Sequence, residues 1–166
     1  MNKRVQSGLL AAVALAAAGL AAWWYAGASE EREIKRRFTE FAEEFNASTT
    51  DGLGTMARAA RLGAYFTPDI VVELGQGSPP IHGRETLIGM AARLQPRTAA
   101  FLVELDDVTV EMVDADNASV TLTVVIRRRT IGTDEESMDA REFAADVTRS
   151  GGPWQMQRVV AIDTLR

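Results

Sequence analysis

The chain has 166 residues, 46% of them apolar, which is one ordinary domain with an appendage and enough apolar material for a real core. With no cysteine and a single histidine, a disulfide, a thiolate or multi-histidine metal site, a cysteine nucleophile and a lipid-modified N-terminal cysteine are all excluded. The net charge is −5 and every acidic residue lies beyond Ala28, so the folded part should not seek nucleic-acid phosphates, and no motif implies a cofactor.

At the start of the chain, Lys3 and Arg4 precede an uncharged run from Val5 to Ser29. As a helix, residues 8–27 would span roughly 30 Å, the thickness of the hydrocarbon layer. Trp23, Trp24 and Tyr25 stand where an interfacial aromatic belt would sit, and the cations place the N-terminus in the cytoplasm. We therefore read residues 1–28 as a single-pass inner-membrane anchor and residues 29–166 as a domain in the periplasm or outside the cell. The alternative is a cleavable signal peptide, because Ala26 to Ala28 resembles a small-x-small cleavage site; the domain would then be secreted.

Ser29 caps a first helix in which Ile34, Phe38, Phe41 and Phe45 recur at helical spacing. After a polar loop, Leu53, Met56, Ala60 and Tyr65 predict a second helix that ends before Pro68. Asp69 to Leu74 alternates as a short strand, with Ile70, Val72 and Leu74 on one side and Asp69, Val71 and Glu73 on the other. His82 sits at the approach to a third helix carrying Leu87, Ile88, Ala91 and Leu94. Beyond Pro96 the period is two, which predicts strands over about 99–113, 118–130, 137–149 and 154–165. The apolar phase slips at Asp106-Asp107 and again near Arg141, so a bulge is expected at the first and a bend at the second.

This order of elements, with the phrase YFTPDIVVELGQGSPPIHGRETL, resembles the nuclear transport factor 2-like superfamily, including its SnoaL-like and ketosteroid-isomerase-like branches. The resemblance implies an α+β cone: three N-terminal helices packed in a strongly curved antiparallel sheet, here behind one transmembrane helix. It also supplies positions to test. Where the ketosteroid isomerases carry their proton-shuttling aspartate this chain has Leu74. Phe38 matches their oxyanion-hole tyrosine and Arg141 their protonated acid, so that catalytic set is not matched. The resemblance places Arg141 and Phe143 facing inward, with Phe38, Phe41, Tyr65, Val72, Leu74 and Trp154 lining the hollow. An inward Arg141 needs an anion, either Glu142 or Asp163, or the carboxylate or phosphate of a small amphipathic ligand; the plainer alternative is an internal salt bridge or a side chain that reaches out to solvent at the rim of the cone.

His82 is the one candidate base, and Asp69 or Glu73 would have to orient it. The plainer reading makes it a turn residue beside Gly83. Arg127, Arg128 and Arg129 read as a solvated strand end, and Asn46-Ala-Ser48 and Asn117-Ala-Ser119 match the glycosylation pattern, with a secretory setting not indicated. Ser119, Thr121, Thr123 and Arg127 are expected on the outer sheet face, a surface for a second copy or an envelope partner. The expected function is a membrane-tethered, non-catalytic ligand-binding or assembly domain. The alternative is a SnoaL-like isomerase, dehydratase or cyclase acting on a small apolar substrate in the cone.

Overall fold

The computed structural model describes residues 27–47, 52–75, 77–93, 99–130 and 136–162. From Ile34 onward the chain forms one compact unit. Its helices are α1 (residues 27–46), α2 (Gly52–Gly63) and α3 (Arg84–Arg93). The strands are β1 (Phe66–Glu73), β2 (Ile81–His82), β3 (Ala99–Met112), β4 (Asn117–Thr130), β5 (Glu136–Thr148) and β6 (Gln155–Ala161), in one curved sheet of order β2-β1-β6-β5-β4-β3. The α+β cone is therefore present, with two departures from the expected sheet. β1 and β6 run parallel, and the two-residue β2, too short to show a period, adds an edge strand beside β1.

The α1 stripe packs as its spacing requires: Ile34, Phe38 and Ala42 are buried against the concave face of the sheet. Ser29 lies inside the helical residues and so does not cap their start. At the other end of α1, the Asn46 amide reaches β3, donating to the Val103 carbonyl at 2.7 Å and accepting from the Val103 amide at 2.8 Å.

In α2 the buried face is Thr55, Ala59 and Leu62, whereas Met56 is 70% exposed and Ala60 is exposed. An alanine-rich helix looks apolar on several faces, so packing against small residues chose a stripe one position away from the expected one. Gly63 belongs to that contact: a Cβ there would lie 2.5 Å from Ile88 Cδ1, so any larger residue would make the Ile88 side chain shift. Gly83, at φ 84°, turns β2 into α3 while its amide donates to the Ile70 carbonyl at 2.8 Å.

The expected bulge in β3 is present. Pairing with β4 shifts between Asp106 and Thr109, and Asp107 has φ 54°. Near Arg141, β4 and β5 pair without interruption from Asn117↔Thr148 to Arg129↔Glu136, so no change of register accompanies the expected bend. Met138 and Ala140 stand on the convex face, so the apparent slip is a change in which face carries apolar residues. Among the described residues no helix is long and apolar enough to cross a membrane. Residues 8–26 of the expected anchor lie outside the described residues, as do Trp23, Trp24, Tyr25 and Asp163.

Candidate functional site

The narrow part of the cone is filled by its own side chains. Trp154, Phe38 and Tyr65 are buried there, and Ile34, Arg37, Val147, Gln155 and Met156 complete a cavity of about 10 Å³, room for about one water. Arg37 closes it: its guanidinium lies 4.0 Å from the Tyr65 ring centroid and donates to the carbonyls of Trp154 (3.4 Å) and Ala64 (3.2 Å). Burial pushes the Tyr65 phenol above its ordinary pKa of 10.0, against the pull of the Arg37 charge. It stays a neutral hydroxyl at physiological pH. Phe41 stands edge-on to Tyr65 at 5.5 Å and to Phe66 at 5.6 Å. This end holds the fold together and has no room for a substrate.

Register pairs Phe143 with Leu122, Arg141 with Val124 and Asp139 with Ile126, which puts all three β5 residues on the concave face. Arg141 Nη1 donates to the Leu74 carbonyl at 3.1 Å. The two positions that match the proton-handling pair of the ketosteroid isomerases thus do meet, as a leucine and an arginine. Leu74 contributes its backbone oxygen to that meeting, and its side chain, expected in the wall, is 39% exposed. Val72 is buried beneath it and Phe143 half-buried. Glu142 pairs with Thr123 on the convex face, so it does not neutralise Arg141. Among the described residues Arg141 has no carboxylate partner.

His82 is on the wrong side for chemistry in the hollow. It pairs with Val71, which pairs in turn with Arg158, so all three project from the convex face, whereas its neighbour Ile81 pairs with the buried Val72. Of the two carboxylates expected to orient it, Glu73 is engaged, its Oε1 taking two bonds from Arg158 at 2.8 and 3.2 Å, and Asp69 is exposed and makes no bond to the imidazole. Replacing His82 by alanine should leave ligand binding and any turnover unchanged and shift stability by less than about 0.5 kcal/mol in urea unfolding. A loss of turnover would return the imidazole to the reaction.

Two features of the mouth escaped sequence reasoning. Asp139 shares the concave face with Arg141 once the supposed slip there is discarded. Arg128 is paired with Phe101, and its guanidinium stands 6.0 Å from that ring. Period-two counting outward from Phe143 reaches Asp139, whereas Arg128 lies on β4 and is placed by its pairing with Phe101. Ser119, Thr121, Thr123 and Arg127 share the convex face, where Arg127 bonds Glu104 at 2.9 Å. Asn117 is held by both Asp114 carboxylate oxygens at 3.0 Å in the β3–β4 turn. Among the described residues no group of three His, Asp or Glu is placed to hold a metal ion.

The sequence profile of a family described as SnoaL-like domain matches residues 51–160. No curated protein matches in sequence. A provisionally assigned scytalone dehydratase from Novosphingobium aromaticivorans superposes with a TM-score of 0.67 at 16% identity, over 84% of this chain and 87% of its own. A ketosteroid isomerase-like protein from Erwinia carotovora atroseptica gives 0.60 at 20% identity, over 80% and 94%. A hexachlorocyclohexane dehydrochlorinase gives 0.58 at 14%, over 82% and 90%. At such identities the likeness is one of fold.

Proposed function

This chain belongs to the SnoaL-like domain family, and we propose that it works on a small apolar molecule at the wide mouth of its cone, as an isomerase- or lyase-type enzyme. The observation that carries the reading is the placement of Arg141. Its exposed guanidinium, steadied on the Leu74 carbonyl, shares the concave face with the half-buried Leu105, Val124 and Phe143 and with the exposed Asp139. A carboxylate and a guanidinium so placed fit proton abstraction beside a carbonyl. Asp139 takes the proton, the carbon–hydrogen electron pair becomes the enolate, and Arg141 holds the negative oxygen. Collapse of the enolate then either expels a leaving group from the next carbon with its electron pair or returns the proton elsewhere. The dehydratase and dehydrochlorinase among the structural neighbours, both named for eliminations, support that class.

A second reading, binding without turnover, is favoured by Leu74 standing where the isomerases keep their base and by His82 facing away from the hollow. The basic start and apolar run of residues 1–28 support a place outside the cytoplasm; no described helix does so.

Both readings meet one experiment. Naphthoate binding followed by fluorescence should weaken at least about tenfold in Arg141→Met with the thermal midpoint unchanged. Asp139→Asn should keep that binding and slow deuterium exchange into the position beside the carbonyl of 2-tetralone about a hundredfold. Binding without catalysed exchange leaves the second reading. Undiminished binding in Arg141→Met removes both.

A further inference from the structure

Pairing of the arginines divides by face of the sheet. On the convex face, Arg127 bonds Glu104 at 2.9 Å and Arg158 bonds Glu73 at 2.8 Å, each a side chain against a carboxylate. On the concave face, Arg141 has only a backbone carbonyl and Arg128 only the Phe101 ring. In a chain with 23 acidic residues against 18 basic ones, carboxylates are in surplus, yet none is within ion-pair distance of either concave cation among the described residues. Arg129, at the exposed end of β4, faces the other side of the sheet, opposite Glu136.

The two concave arginines are ordered along one line. Arg141 pairs with Val124, and Arg128 lies four residues further along β4, so their backbones are roughly 14 Å apart at the rise and spacing of a sheet. Val124 and Ile126 on β4 and Val103 on β3 fill the strip between them, and Phe101 and Ile126 are exposed there although both are large and apolar. Asp139, opposite Ile126, puts a negative charge beside the middle of the strip. The face therefore reads cation, apolar strip flanked by an anion, cation. An anionic group is welcome at either end and repelled in the middle.

From this arrangement we infer that the mouth takes an elongated apolar molecule with an acid group at each end, Arg141 holding one and the Arg128–Phe101 shelf the other. The inference rests on the reading that Arg141 anchors the ligand, and it adds the second anchor and the ligand's length. A guanidinium offers a carboxylate two parallel donors, and stacking on Phe101 holds Arg128 in place before the ligand arrives. The exposed apolar strip gives the chain between the acids a surface to cover.

Isothermal titration of the full chain with dodecanedioate and with its monomethyl ester tests this, because the two probes share a length and differ by one charge. The diacid should bind roughly fivefold tighter than the half-ester, and Arg128→Met should erase that difference while leaving half-ester affinity unchanged. Arg128→Lys, which keeps the charge, should restore part of the preference. Arg141→Met should weaken both probes. Equal binding of diacid and half-ester by the unmodified protein overturns the second anchor and leaves the Arg141 reading standing. Failure of both probes to bind, or their undiminished binding by Arg141→Met, overturns that reading and this inference with it.

Discussion

Trp154→Ala is expected to lower the unfolding free energy by about 3–5 kcal/mol. The indole is 2% exposed and stands where β6 begins, within the group that includes Ile34, Phe38, Val147 and Met156. The cavity already beside it holds about 10 Å³, so truncation would join a large void to a small one, and α1 and β5 are too well fixed by their other contacts to close it. The same change removes the ring over which Arg149 lies at 4.9 Å. Urea unfolding followed by circular dichroism gives the number directly. A loss below about 1 kcal/mol would mean that the narrow end is not the anchor of the core.

Val120→Asp should do more damage, and in a pH-dependent way. Val120 is fully buried in β4, paired with Val110 on one side and Ala145 on the other, with aliphatic neighbours and no donor for a carboxylate. An unpaired charge there costs several kcal/mol, enough to unfold a domain of ordinary stability at neutral pH. Burial raises the folded-state pKa of the introduced acid above its unfolded value of about 4. The variant therefore keeps most stability below that pH and loses it as pH rises. Near-ultraviolet circular dichroism should show tertiary signal appearing on acidification. Val120→Asn, polar but uncharged, should be destabilised without that dependence; matching pH profiles for the two variants would refute the charge argument.

The parts of the fold legible in the sequence are those whose cause is local. Ile34, Phe38 and Ala42 follow from helical spacing alone, and the break at Asp106-Asp107 follows from two apolar series out of phase. What was not legible depends on partners distant in sequence. Nothing near Phe66 or Gln155 indicates that β1 and β6 run the same way, and an alanine-rich α2 does not reveal its inner face until α3 lies against Gly63. The apparent slip at Arg141 arose because Met138 and Ala140 are apolar yet outward, a pattern that counting hydrophobicity misreads. For the site, the resemblance singled out Leu74 and Arg141, which a hydrogen bond joins, and gave no role to Asp139 or Arg128. His82 drew attention by being the sole histidine, but its role is decided by register with Val71, which one strand of sequence does not contain.

The clasp of Asn46 on Val103 has a consequence for how molecules of this protein behave toward one another. β3 is the long outermost strand of its side of the sheet, and Val103 turns its amide and carbonyl away from β4. Those are the groups onto which a stray extended peptide would zip, extending the sheet from one molecule into the next. A side-chain amide from α1 occupies both, imitating one residue of a neighbouring strand and leaving no place for a real one. A few residues on, the Asp107 kink throws the strand out of line, and Asp106 and Asp107 add repulsion between like edges. The junction between first helix and first long strand thus also keeps crowded copies of the chain from stacking into fibres.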